Sequence, residues 1–172
     1  PAQLMDLYFA SVGRGASFLL NLPPDCRGRI ADTDVNLLKE FHRQVEALFS
    51  HDLARGAKAV ASNPRGEERH FAARNICDGQ PNTYWTTDDA VTNAAVVLDF
   101  GKPVTFNVVR LREYLPLGQR VDAFALDQWK EGGWVEFAVG TSIGSCRLVR
   151  VPRVVAEKLR LRIIKAAACP AI

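Results

Sequence analysis

Carboxylates come first, because paired carboxyl groups are the simplest acid–base machinery a chain can carry. Cleaving the acetal link between two sugars needs two of them flanking the bond, about 5–5.5 Å apart when configuration is retained. The first 55 residues hold Asp6, Asp25, Asp32, Asp34, Glu40, Glu46 and Asp52. Most fall within helical patterns or at a helix start, where solvation and capping account for them. Asp25 alone follows an apolar run that reads as a strand, at the end where α/β barrels place their active sites. It is a candidate for the rim of such a site, but one carboxylate is not a catalytic pair. His42, His51 and His70 stand apart, with no Ser, Cys or Asp at nucleophile–base spacing. Cys26, Cys77, Cys146 and Cys169 form no CxxC pair and no metal-ligand spacing. Their even number permits disulfides without specifying them, and we expect one bridge at most.

The densest polar motif is Asn75-Ile-Cys-Asp-Gly-Gln-Pro-Asn-Thr-Tyr-Trp85. Asn75, Asp78, Asn82 and Thr83 put several oxygen donors into one short loop. Hard cations take six to eight oxygens, so the loop is a candidate to supply part of a structural calcium site. The alternative is an Asx-type turn that bonds its own backbone. No other cofactor is expected. Trp85 and Trp134 stand where strands begin and read as core. Trp129, beside a turn, is the candidate for an exposed ring that stacks on a sugar.

These residues need elements to position them. Leu4, Met5, Leu7, Tyr8, Phe9 and Val12 mark a helix that Gly13 and Gly15 end. Ser17–Leu22 is almost wholly apolar and reads as a strand buried on both faces, as in a parallel sheet. Asp32 or Thr33 can cap a second helix carrying Val35, Leu38, Phe41, Val45, Leu48 and Phe49, closed by Gly56. The order is α-β-α, the repeating unit of an α/β barrel. From Ala57 on, short alternating runs replace helical spacing. Candidate strands are 58–62, 94–100, 106–114, 120–128, 134–138, 146–151 and 158–165. Glu131-Gly132-Gly133 marks a hairpin turn. Many short strands with polar turns imply an antiparallel sandwich.

Composition is that of a globular chain: 172 residues, 48% hydrophobic. A net charge of +3 is too small to argue for nucleic acid. Residues 1–55 carry 6 basic and 7 acidic side chains, and residues 56–172 carry 16 and 12. Seven of those basic residues lie between Arg147 and Lys165. Lys158, Arg160 and Arg162 alternate with Leu159, Leu161 and Ile163, which reads as the solvated face of one strand, with a basic groove as the alternative. No run of 18 apolar residues offers a membrane span. No signal peptide is visible, and the chain gives no compartment of its own.

Ser11-Val-Gly-Arg-Gly15 and Leu19-Leu-Asn-Leu-Pro-Pro-Asp-Cys-Arg-Gly28 resemble the end of the catalytic barrel of α-L-fucosidases of glycoside hydrolase family 29. The resemblance continues through Asp52-Leu-Ala-Arg-Gly-Ala57, Asn82-Thr-Tyr-Trp-Thr-Thr87, Phe106-Asn-Val-Val-Arg-Leu-Arg-Glu113, Leu117-Gly-Gln-Arg-Val121 and Ala168-Cys-Pro-Ala-Ile172. It covers essentially the whole chain.

The resemblance implies a mixed fold. Residues 1–55 would be the terminal α-β-α unit of a TIM-like barrel. Residues 56–172 would be a discoidin or galactose-binding-like antiparallel sandwich (a jelly roll), similar to family 32 carbohydrate-binding domains. It also implies a parent that hydrolyses terminal α-L-fucose with retention, through an Asp nucleophile and a Glu or Asp acid/base. Those carboxylates would lie upstream, so residues 1–172 alone are expected to be inactive. Both ends are expected to be cut, with one further strand beyond Ile172. The partner would be a fucosylated glycan, with no nucleic acid and no membrane, and the parent would be periplasmic or secreted. The alternative role is a binding module that tethers the enzyme to glycans. Leu7, Phe9, Leu19, Leu20, Phe41, Val45 and Phe49 are expected to face barrel partners outside this chain, each such contact being worth about 1.5–3 kcal/mol.

Overall fold

The computed structural model describes residues 2–172. The chain divides into two compact units, residues 1–52 and 53–172.

In the first unit, α1 spans Ala2–Ala10. The Ser11 amide and hydroxyl both donate to the Leu7 carbonyl, at 2.9 and 2.6 Å. A 3-10 turn at Val12–Arg14 follows, and Gly15 closes it at φ 78°, a conformation open to glycine at little cost. Helix α2 spans Asp32–Phe49. Its N-cap is Ala31 rather than Asp32 or Thr33, and no side chain caps it. Asp32 and Asp34 lie in its first turn instead, where negative charge complements the helix dipole. The helix stops at Ser50, whose amide and hydroxyl both reach back to the Ala47 carbonyl. Gly56, expected to close α2, turns the chain farther on at φ 78°. The Tyr8 and Phe18 rings each meet the Phe41 ring edge-on at 6.0 Å.

Ser17–Leu22 is not a strand here. It joins no sheet, and Leu19 is 94% exposed. A strand exists only through hydrogen bonds to a neighbour, and among the described residues of this unit the one β-bridge joins Pro24 to Ile30. The middle of the expected α-β-α unit is therefore missing its sheet. Among the described residues of this unit, only Met5 and Gly13 are buried.

The second unit is a five-stranded antiparallel sheet in the order β1-β2-β5-β3-β4. The strands are β1 (Lys58–Ala61), β2 (Ala94–Leu111), β3 (Val121–Lys130), β4 (Gly133–Gly140) and β5 (Arg147–Ala166). Seven expected strands are five because two pairs merge across residues that look like breaks. Gly101 (φ 69°) sits where the β2–β5 register shifts between Asp99 and Val104, its amide on Asp99 Oδ1 at 2.9 Å. Pro152 falls opposite the second shift, between Phe106 and Val108, where a bulge needs no amide donor. The β3–β4 turn is two residues, Glu131 (φ 52°) and Gly132 (φ 82°), with Gly133 already paired to Lys130. Positive φ at both positions is the type I′ hairpin, whose twist matches the strands it joins.

Fully extended, the 20 residues of β5 would span about 66 Å, while a domain of ~120 residues has a radius of gyration near 14 Å. The strand has to bend. At the register shifts the ribbon formed by the second half of β2 and the first half of β5 turns over the sheet. Phe106 of the ribbon then meets Phe137 of β4 at 6.0 Å. A single hydrogen-bonded sheet thus supplies both layers of the expected sandwich. Between them lie Trp85, Val96, Val121, Phe124, Leu126, Leu161 and Ile163, all within 3% of complete burial. Phe124 packs so closely on Gly140 that a β-carbon there would overlap its ring.

The ends of the strands are tied by polar groups. Trp85 donates its indole N–H to the Asn63 carbonyl at 3.1 Å, and its backbone pairs in both directions with Ile172. The buried Glu113 carboxylate accepts three backbone amides: Arg120 (2.7 Å) and Val121 (2.9 Å) on one oxygen, Gly144 (2.6 Å) on the other.

Candidate functional site

Asp25 heads a tight turn closed by the Pro24–Ile30 bridge. Its Oδ1 accepts the Arg27 amide at 2.8 Å and its Oδ2 accepts Arg27 Nε at 2.9 Å. The Arg27 side chain, then its backbone amide, hold the Asp25 carboxyl below the usual carboxylate range. A general acid for glycoside cleavage needs a raised pKa. Asp25 is built the other way, as an ionised organiser of its loop.

The four candidate cation ligands separate into two roles. Asp78 and Thr83 come together: the Thr83 hydroxyl donates to both Asp78 oxygens, at 3.0 and 2.8 Å, and the Gln80 amide donates to Oδ1 at 2.7 Å. Asn75 is buried and turned to another task, its amide group donating to the carbonyls of His70 (2.7 Å) and Tyr84 (3.0 Å). Asn82 lies exposed on the turn. For a hard cation the loop offers Asp78 and Thr83 as side-chain donors. As it stands it is an Asx-type turn whose carboxylate is satisfied by its own loop. Among the described residues no three His, Cys, Asp or Glu side chains cluster in a way that could hold a metal. Cys26, Cys77, Cys146 and Cys169 form no disulfide with one another.

The outward face of β3, β4 and β5 gathers what the sequence left scattered. Trp129 is 37% exposed, and its ring meets the Trp134 ring edge-on at 5.1 Å across the hairpin. Trp134 is not core, as its place at a strand start suggested. It is half-buried on this face, under the Arg160 guanidinium, 4.5 Å from the ring centroid. Asp127 was not singled out in the sequence, yet it is 1% exposed and central. Its carboxylate accepts Arg160 Nε at 2.7 Å and two Arg162 nitrogens at 2.8 and 3.1 Å. Arg162 also reaches Glu136 at 2.6 Å. Burial works against the charged form of Asp127. The hydrogen bonds from Arg162 and Arg160 outweigh it and hold the carboxyl below its ordinary value. The signal in the sequence was there: an Asp closing the apolar run Ala-Phe-Ala-Leu, opposite alternating arginines. The alternating basic residues are thus a paired face rather than a basic groove. Lys158 meets Asp99 at 3.2 Å and Lys165 meets Asp122 at 3.5 Å.

Residues 58–170 match the family model described as the F5/8 type C domain. Alpha-L-fucosidase 1 of Arabidopsis thaliana is 36% identical over 99% of this chain and 34% of its own length. A solved structure of a glycoside hydrolase family 29 fucosidase of Ruminococcus gnavus, in complex with fucose, superposes with a TM-score of 0.90 at 30% identity, over 99% of this chain and 35% of that one. The solved structure of a protein called SpGH29 superposes with a TM-score of 0.92 at 38% identity, over 99% of this chain and 37% of that one. The expected resemblance to α-L-fucosidases therefore holds across both units. The chain spans about a third of the length of the relatives it matches.

Proposed function

Residues 58–170 belong to the F5/8 type C domain family, and from that membership and the whole-length likeness to α-L-fucosidases we propose that this chain is the C-terminal portion of a retaining α-L-fucosidase. The parent hydrolyses terminal α-L-fucose from glycoconjugates, and the sheet unit supports its catalytic barrel. The observation that carries this is the reach of the likeness across both units, 99% of the chain. An F5/8 domain serving alone has no use for Ser11–Gly28 or for α2.

On this reading the first unit is the end of the barrel. The exposed Leu19 and the run Ser17–Leu22, which joins no sheet, are then a barrel stave whose hydrogen-bonding partners belong to the rest of the parent. The Asp25 turn sits at the rim and shapes it, while the nucleophile and the acid/base come from elsewhere in the barrel. The same family membership fits a glycan-holding role for the sheet unit, which the outward-facing Trp129 favours.

Stereochemistry tests the proposal. Two carboxyl groups acting through a glycosyl-enzyme release the sugar with its configuration kept. Proton NMR of the parent acting on an aryl α-L-fucoside is expected to show α-L-fucose forming first, then mutarotating. First appearance of the β anomer contradicts the retaining mechanism, and no fucose at all contradicts the assignment.

A further inference from the structure

We infer that the outward face of β3, β4 and β5 holds a neutral pyranose, with the Trp129 indole stacked on the sugar ring and the Arg162–Glu136 pair taking its hydroxyls. This rests on the reading that the parent acts on glycans, and it adds a second place where the glycan is held.

A pyranose presents an apolar C–H face and a rim of hydroxyls. It is recognised by an aromatic plane beside planar polar groups. Trp129 supplies the plane. Its partner Trp134 is occupied by the Arg160 guanidinium, 4.5 Å from the ring centroid, and braces Trp129 edge-on at 5.1 Å. Trp129 itself keeps 37% of its surface open on a strand, not on a mobile tip.

The polar groups are fixed before any ligand arrives. Asp127, 1% exposed, accepts nitrogens from both Arg160 and Arg162, so one buried carboxylate sets two guanidinium planes. Arg162 Nη2, which donates to Asp127 Oδ1, also pairs with Glu136 at 2.6 Å on the half-open surface. Ordering long side chains is a main cost of binding, and here folding has already met it. The charges on the face also name the class of ligand. Two guanidiniums stand against two carboxylates, leaving no net charge to attract a polyanion. A neutral ligand rich in hydroxyls is what donors and acceptors side by side can satisfy.

The chain has three tryptophans, hence three indole N–H resonances. Trp85 is completely buried with its N–H on the Asn63 carbonyl, and serves as an internal reference. Residues 1–172 are titrated in turn with L-fucose, D-galactose and a polysulfated dextran. The Trp129 signal is expected to shift saturably with at least one sugar, the Trp134 signal less, and the Trp85 signal not at all. Trp129→Ala is expected to weaken binding by about tenfold or more. Arg162→Lys, which loses the planar fork, is expected to weaken it while the Trp85 resonance stays in place, showing the fold intact. Three outcomes overturn the inference: no saturable shift at Trp129, equal drift of all three signals, or saturation by the polysulfate alone. Unchanged binding by Trp129→Ala overturns it too. Hydrolysis of an aryl fucoside by the parent separates the two readings. Hydrolysis without a saturable shift removes this surface only, and a saturable shift without hydrolysis removes the fucosidase assignment only.

Discussion

Replacing Glu113 with alanine is expected to unfold the sheet unit at temperatures where the unchanged chain is intact. Glu113 is 2% exposed and accepts three backbone amides, from Arg120, Val121 and Gly144. It therefore pins the segment before β3 to the segment before β5. Alanine fills none of that role and leaves three N–H groups facing a cavity. Each buried donor left without an acceptor costs about 1–3 kcal/mol. Even with partial relaxation the loss is ~3 kcal/mol or more, a large share of the ~5–15 kcal/mol that holds a domain together. Glu113→Gln gives the finer test. Its one oxygen can keep Arg120 and Val121, but its NH2 group then opposes the Gly144 amide. Its loss is expected to fall between the two, and thermal unfolding followed by circular dichroism reads both. Equal melting midpoints for all three chains would show that water or another acceptor satisfies those amides.

Asp127→Ala is expected to be the second most damaging change. It removes the acceptor from two guanidiniums that are only 26% and 34% exposed as side chains. Breaking a buried ion pair by deleting one partner costs about 3–5 kcal/mol, and the partial exposure of the arginines places the loss at or below the lower end, ~2–3 kcal/mol. The same carboxylate predicts a pH dependence. Its pKa in the folded chain lies below the ordinary value, because the Arg162 and Arg160 hydrogen bonds outweigh burial. The unfolded chain therefore binds this proton more readily than the folded one. The stabilisation is complete above the ordinary Asp value of about 4 and is lost as pH falls through the folded value below it. Denaturant midpoints at neutral pH and near pH 3 are expected to differ less in Asp127→Ala than in the unchanged chain. An equal drop in both would mean that Asp127 adds nothing to the acid sensitivity.

Much of this architecture is legible in residue types. Gly15 at positive φ closes the 3-10 turn that follows α1, and Gly132 at positive φ shapes the β3–β4 turn, because few other residues adopt that conformation without strain. Alternation locates every strand of the sheet, since one side of each faces the core. What alternation does not carry is where a strand stops. Gly101 and Pro152 look like breaks but sit in bulges, so β2 and β5 run through them and form both layers. Ser17–Leu22 fails for the opposite reason. Its apolar run is local, but strandness depends on a neighbour's hydrogen bonds. Glu113 and Asp127 escape notice because a carboxylate near a strand end looks like any solvated charge. Their roles appear only when the fold brings three amides to one and two arginines to the other. Trp134 misleads because its neighbours across the sheet, not its place in the strand, turn it outward against Arg160.

On the proposed reading, this chain is the non-catalytic part of a fucosidase. The most direct measurement is the rate of aglycone release from an aryl α-L-fucoside by the full-length parent and by residues 1–172, side by side at equal concentration. Turnover is expected from the parent and none above the buffer rate from residues 1–172, because the proposed reading places both catalytic carboxylates elsewhere in the barrel. A parent that leaves the fucoside untouched, or turnover by residues 1–172 alone, contradicts it.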